Sequence, residues 1–447
     1  MNSLTQIEQA YPSPWRAWRV TGLLTVIYVF SFVDRQVLNL LVGPIQSDLG
    51  LSDTEVSLLQ GFGFVATYVL LSIPIGRLVD TRNRVTIIAL GVAFWSIATA
   101  ACGLVKSFMG LLMARAGVGV GEASLTPAAW SLLADYFPPE RRSFPLSIFL
   151  MGPYLGVGVA MISGGLLMDD LLVRGPIAVP LLGTLAPWQL TFLVVAAPGI
   201  LLTGLMLLVR EPSRRDIAPS VGVASSHDIA NWVKANGRVY TALLAGVPCI
   251  IVILYGLQAW APTYLVRVHG FSLGEAGTRY GAIALLCGSL GVLSGPGLGR
   301  LLQRVGYTDY PLRIAAWSLA LTAPALLVLA VAPNTWVAVG SIGMVSFLVT
   351  VPLALVASAL QLVTPNRMRG VLSGAYVVST SVVGMAMGPS LIALATDYWF
   401  QDPAAIGLSM ALVGVIVAIA GVALIARGQT RYCHLIATLG DNSRAEG

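Results

Sequence analysis

Four ionisable residues sit where a lipid-spanning sequence has least reason to carry charge. Asp34 and Arg35 interrupt an apolar stretch near 20–44, and Arg115 and Glu122 interrupt another near 108–134. Each central charge costs roughly 2.5–3.5 kcal/mol on insertion scales, so four of them imply a use. Two uses fit: a structural ion-pair network pinning one helix to the other, and a site for a proton and a substrate. The default reading of intramembrane charge favours the second. Arg115 and Glu122 are seven residues apart, hence on one helix face and ~10 Å apart along its axis. The first span rises as the fourth descends, so Asp34–Arg115 and Arg35–Glu122 are the pairs this layout allows. Sequence alone does not decide which forms in which state. Burial pulls a carboxyl there toward its neutral form, and a neighbouring guanidinium pulls it toward the charged form. A change of partner would then load a proton on one side and release it on the other. The second half of the chain carries no equivalent charge, so coupling is expected to belong to the first.

The elements that must hold these residues are legible in the composition. The chain has 447 residues, of which 56% are hydrophobic and 10% charged, with a mean hydropathy of +0.82. A soluble domain carries roughly 25% charged residues, so most of this surface must face lipid. Twelve apolar stretches exceed the ~20 residues that cross hydrocarbon as a helix. They are uniformly apolar rather than alternating, which excludes spanning strands. The longest polar stretch separates two sets of six. The expected organisation is a six-helix bundle over 1–210, a linker over 211–238, a second bundle over 239–428 and a tail over 429–447. The first nineteen residues are mostly polar, and no cleaved signal peptide is expected.

With the N-terminus inside, the cytoplasmic segments hold 20 Lys and Arg and the opposite side 4. That bias predicts cytoplasmic N- and C-termini in an inner membrane. It also accounts for the +6 net charge: the basic residues set topology and attract anionic membrane lipids, and nucleic acid is not needed as a partner. No pair of the four cysteines or three histidines stands at metal-ligand spacing; no metal, cofactor or disulfide is expected. A membrane enzyme would need His, Cys or paired carboxylates at one water interface, and a channel a continuous polar pore. The chain is expected to act as a monomeric carrier, not an enzyme.

The halves look duplicated. Gly76-Arg77-Leu78 recurs as Gly299-Arg300-Leu301, and Met151-Gly152-Pro153 as Met387-Gly388-Pro389. Pro139, Arg141, Leu146 and Ser147 recur 226 residues later as Pro365, Arg367, Leu372 and Ser373. A duplicated bundle implies a central site between halves that rock about it. Gly119 and Gly121 are read as helix-packing glycines, which leaves Glu122 as the odd residue.

The segment Gly76-Arg77-Leu78-Val79-Asp80-Thr81-Arg82-Asn83-Arg84 resembles the loop signature of the major facilitator superfamily, G-x-L-x-D followed by R-x-R. The resemblance implies a cytoplasmic gate built from Gly76, Asp80, Arg82 and Arg84. Asp80 would sit against the N-terminus of the eleventh helix at Arg369–Gly370, where free N–H groups favour an anion. Asn83 stands where most of the superfamily has Gly, and Gln303 replaces the Asp in the second copy. Phe32-Val33-Asp34-Arg35, Gly119-Val120-Gly121-Glu122-Ala123-Ser124, Ala134-Asp135-Tyr136-Phe137-Pro138 and Trp260-Ala261-Pro262 look like the Spinster family within that superfamily. The resemblance implies a lipid or lysolipid substrate and, as in bacterial members, proton coupling through Asp34, Arg35, Arg115 and Glu122. Leu125-Thr126-Pro127-Ala128 replaces the family's usual serine-rich stretch.

The combined expectation is an all-α protein of twelve transmembrane helices in two six-helix bundles, moving an amphiphile with protons by alternating access. The charged half would take the head group and the uncharged half the tail. Tyr255, Gln258, Trp260, Thr350, Gln361 and Tyr376 are the candidate cavity lining. The alternative is a proton-coupled symporter or antiporter of a small hydrophilic organic anion, sugar or drug.

Overall fold

A computed structural model of the chain describes residues 11–138, 141–180, 182–214, 225–365 and 367–445. Pro139 of the repeat, Arg215 and Asp216 of the linker, and the first ten residues lie outside them.

Eleven helices among the described residues are long and apolar enough to span a membrane. They are α1 Pro14–Leu40, α2 Asp53–Thr81, α3 Arg84–Cys102, α5 Phe144–Arg174, α6 Pro187–Leu207, α7 Gly237–His269, α8 Leu273–Arg304, α9 Tyr310–Ala330, α10 Thr335–Leu362, α11 Arg369–Phe400 and α12 Pro403–Thr438. The remaining crossing, α4, is built in two pieces, Phe108–Glu122 and Leu125–Tyr136. Pro127 lacks the N–H that would bond the Ala123 carbonyl. Ser124 Oγ donates to the Gly121 carbonyl at 2.8 Å. The interruption makes Glu122 the last residue of the upper piece, inside the bundle.

Twelve crossings put both ends of the chain and the linker on one face, called here the terminal face; the other is the distal face. The linker contains a helix, Ser226–Ala235, capped by Ser225, whose Oγ accepts from the Asp228 N–H at 3.1 Å. Residues 429–445, read from sequence as a tail, continue the last helix: it runs unbroken from Ile406 to Ala445. No proline interrupts that run, and its 40 residues extend ~60 Å, about twice a hydrocarbon core.

Each half has its own core. Leu24, Phe64, Trp95, Leu132 and Tyr136 pack in the first, and Ile250, Trp260, Leu319, Ile342 and Met410 in the second. The halves meet along α1–α7, α2–α11 and α5–α8. Helix α2 carries a π-turn at Leu58–Phe62, after its first α-helical turn, and α11 carries one at Thr380–Ala386. Such turns widen a helix locally and free carbonyls for other donors.

Candidate functional site

Glu122 owes its position to two glycines. A Cβ on Gly119 would meet the Phe64 carbonyl of α2 at 2.4 Å, and one on Gly121 the Gly91 carbonyl of α3 at 2.7 Å. Bare backbone there lets α4 wedge between α2 and α3, leaving Glu122 facing α1. On that side Arg35 forms an ion pair with Glu122 Oε2. Ser31 Oγ donates to the same oxygen at 2.8 Å. The guanidinium lies over the rings of Phe32 and Phe64, 4.5 and 4.2 Å from their centroids, where cation–π attraction reinforces the ion pair.

The second expected pair does not form. Arg115 is fully buried, but it donates to main-chain carbonyls: Asp34 at 3.2 Å, Leu59 at 3.4 Å and Arg35 at 3.5 Å. The Leu59 carbonyl belongs to the π-turn of α2, which supplies an acceptor that a regular helix would have used itself. Asp34 turns instead toward Trp95 and Thr99 of α3. One oxygen of each of these two carboxyls, Asp34 Oδ1 and Glu122 Oε1, has no hydrogen-bond partner among the described residues. Buried polar atoms are rarely left so.

A cavity of about 300 Å³ opens between the halves on the terminal side of this cluster. Tyr28 and Phe32 of α1, Tyr154 of α5, Tyr255 and Gln258 of α7, and Tyr376 of α11 line it. Tyr255 lies beside Arg35, which joins the cavity to the charge cluster. Trp260, Thr350 and Gln361 do not line it. Trp260 is fully buried and donates to the Pro389 carbonyl at 2.9 Å. Thr350 is buried against Gly291, and its hydroxyl bonds the Ser346 carbonyl at 2.9 Å. Gln361 is exposed near the end of α10, and its carbonyl accepts from Arg369. Sequence marks a polar or aromatic residue in a span but not the direction in which it points.

Distal to the cavity the halves are closed. Gln36 of α1 donates to Gln258 at 2.8 Å, and Asn39 to Gln36 at 2.6 Å. Arg267 of α7 grips Asp53 with both nitrogens, at 2.7 and 2.6 Å, and also bonds Gln46. Asp397 of α11 accepts from the N–H and hydroxyl of Thr54, at the N-terminus of α2, at 2.7 and 2.6 Å. Asp169 of α5 accepts from the Gly274 N–H, at the N-terminus of α8, at 3.0 Å. Each carboxylate thus meets the positive end of a helix from the other half. Of these residues only Gln258 was singled out from sequence. The polar run Ser31, Asp34, Arg35, Gln36, Asn39 on α1 was the available signal.

The terminal face is different. Asp80, the expected lock, is exposed and forms no hydrogen bond or ion pair among the described residues. Gly370 and Gly374, at the start of α11, have open space around them. Arg369 bonds carbonyls of its own half, Gln361 and Thr364, at 3.1 Å each. Gly76 likewise meets nothing within 4 Å. The Arg82 side chain is exposed, while its carbonyl and that of Val79 accept from linker Arg214 at 2.7 and 2.6 Å. Arg84 is no gate residue here. It is buried inside the first half, paired with Asp135 and Glu211, and ties α3 to the ends of α4 and α6. The lock contact is missing because the halves stand apart on this face.

Residues 24–389 match the profile described as Major Facilitator Superfamily, and the chain belongs to that superfamily of transporters. Within it the chain is of Spinster type. It is 29% identical to an MFS-type efflux pump of Mycolicibacterium smegmatis, covering 91% of this chain and 90% of the pump. It is 28% identical to protein spinster homolog 1 of Mus musculus, covering 85% of this chain and 75% of the relative. Its fold matches a solved bacterial homologue of the human lysosomal transporter Spinster, described as inward-facing and unoccupied. There the TM-score is 0.76 at 27% identity, over 96% of this chain and 98% of that one.

Proposed function

We propose that this chain is a proton-coupled carrier of a lipid or lysolipid-like amphiphile, working by alternating access. The reading rests on one observation: Arg35, held by Glu122 and two aromatic rings, stands beside a mainly apolar and aromatic cavity between the halves, whose wall also carries Gln258, Thr380 and Ser381. The relatives named for Spinster support it by likeness.

In this mechanism Glu122 and Arg35 are each other's partner in the empty state. Protonation of Glu122, whose Oε1 is unpartnered, releases the guanidinium to bind a phosphate through its two-pronged fork. Asp34, likewise with one unpartnered oxygen, is the second proton carrier. Arg115 positions both by anchoring the main chain of Asp34 and Arg35. The acyl chain lies against Tyr154, Tyr376 and Leu353. Bodies 1–210 and 239–428 rock about this site in a monomer. The 20:4 distribution of basic residues makes the terminal face cytoplasmic in an inner membrane, so the conformation described is open inward.

A second reading, a carrier of a small hydrophilic anion, sugar or drug, draws on Gln258, Thr380 and Ser381 in the cavity wall. A lysophospholipid series differing only in chain length, titrated onto purified protein, separates the two. Each added methylene should raise affinity about fourfold until the cavity is filled. Arg35→Ala or removal of the phosphate should abolish the dependence on head group. Affinity flat across chain length and indifferent to the phosphate overturns the amphiphile reading and favours the second.

A further inference from the structure

The central cavity is not the largest concavity. A groove of about 750 Å³ lies on the terminal face, between the linker and the last helix, lined by Lys234, Arg238, Arg427, Arg431 and His434 beside Trp232. All four of its Lys and Arg side chains are exposed. None has a carboxylate partner among the described residues, whereas Arg84, Arg174, Arg267 and Arg313 all do.

The groove is built rather than incidental. Trp232 Nε1 donates to Tyr240 Oη at 2.9 Å, and that buried hydroxyl lies 3.1 Å from Thr364. A Cβ on Gly428 would meet the Arg238 carbonyl at 2.8 Å, so a bare backbone position seats the start of α7 directly on α12. The site also has a fixed depth. Arg427 is the first charged residue after Asp402, so it marks where the last helix leaves the hydrocarbon, with Leu424 one turn inside. A tryptophan beside basic residues at that level is the composition of a membrane interface.

The first half repeats the arrangement. A groove of about 500 Å³ lies between the start of α1 and the end of α6, lined by Arg16, Arg19 and Arg210. Exposed Trp15 and Trp18 stand on the same α1 turns. These arginines too lack a carboxylate partner among the described residues. The start of the first helix and the end of the sixth in one half correspond to the start of the seventh and the end of the twelfth in the other.

From this geometry we infer that the two grooves are paired binding sites for the phosphate head groups of anionic phospholipids in the leaflet of the terminal face. They are separate from the transport cavity. The larger groove holds a head group among Arg238, Arg427 and Arg431, with acyl chains running along Leu424. The smaller holds its counterpart among Arg16, Arg19 and Arg210. A bound lipid would bridge the linker to α12, and α1 to α6.

Native mass spectrometry of the purified full-length protein, titrated with dioleoyl phosphatidylglycerol or dioleoyl phosphatidylcholine, tests the inference. Two phosphatidylglycerol molecules should be retained preferentially. Arg427→Gln with Arg431→Gln should weaken one of them roughly thirtyfold, and Arg16→Gln with Arg19→Gln should weaken the other. Lys234→Gln with Arg238→Gln, on the opposite wall of the larger groove, should repeat the first result if the α12 variant does not fold. Glycerol phosphate should not compete at equal concentration. Equal retention of both lipids, unchanged phosphatidylglycerol binding in the variants, or full competition by glycerol phosphate each overturns it.

Discussion

The two ends of the interface between the halves use the same device in opposite states. At the distal face a carboxylate from one half caps a helix N-terminus of the other, twice: Asp397 on α2 and Asp169 on α8. The two contacts are related by the duplication, since α2 corresponds to α8 and α5 to α11. Asp53–Arg267 is added between them. At the terminal face the matching carboxylate, Asp80, stands free, and the helix start it would cap, Arg369–Gly370, has open space beside it. A carrier needs both locks available and only one closed at a time. The difference teaches that this conformation makes its polar contacts between the halves at the distal face, while Asp80 and the start of α11 make none across the terminal face among the described residues.

That comparison is easiest to break at Asp53–Arg267. Asp53 is almost fully buried and Arg267 largely so. Removing one partner by Arg267→Ala should shift the population toward distal-open by about 2 kcal/mol, roughly thirtyfold. A cysteine placed at Asn39 should then react much faster with a membrane-impermeant thiol reagent applied at the distal face. Unchanged labelling would show that the pair does not hold this gate.

Asp397→Asn and Asp169→Asn should act in the same direction with smaller, similar effects, about 1 kcal/mol each. The same labelling assay reads them. If one is silent while the other opens the gate, the symmetry between the two caps fails. Asp80→Asn should act in reverse and least. It should leave the thermal stability of the terminal-open state unchanged, because Asp80 is exposed and forms no hydrogen bond or ion pair there among the described residues. It should lower the occupancy of the opposite state, seen as faster labelling of a cysteine at Gly374 from the terminal face. A stability loss of more than ~1 kcal/mol would mean that Asp80 is engaged in the resting protein.

The crossings were legible because hydrocarbon imposes length and composition on every one of them. Even the broken α4 reads as one apolar stretch. The Arg35–Glu122 contact followed from helix direction and spacing, which are local quantities. The role of Arg115 did not, because its acceptors are main-chain carbonyls, one of them exposed by a π-turn that no residue type announces. Arg84 reads as a gate residue because it stands in the R-x-R of the superfamily's loop signature. Its partners, Asp135 and Glu211, are 51 and 127 residues away. The distal locks were hidden for the same reason: Thr54 and Asp397 are 343 residues apart, and neither leaves a periodic trace. The last helix overran its apolar segment because a helix needs only compatible residues to continue, not lipid around it.

Proton-driven flux in proteoliposomes made with wild type, Glu122→Gln and Asp34→Asn tests the central claim most directly. One pH unit of gradient supplies ~1.4 kcal/mol per proton, enough to concentrate a labelled lysophospholipid about tenfold. The account predicts gradient-driven accumulation in wild type and its loss in Glu122→Gln, with the protein still folded and still exchanging substrate down its own gradient. Wild-type accumulation in both variants would contradict it.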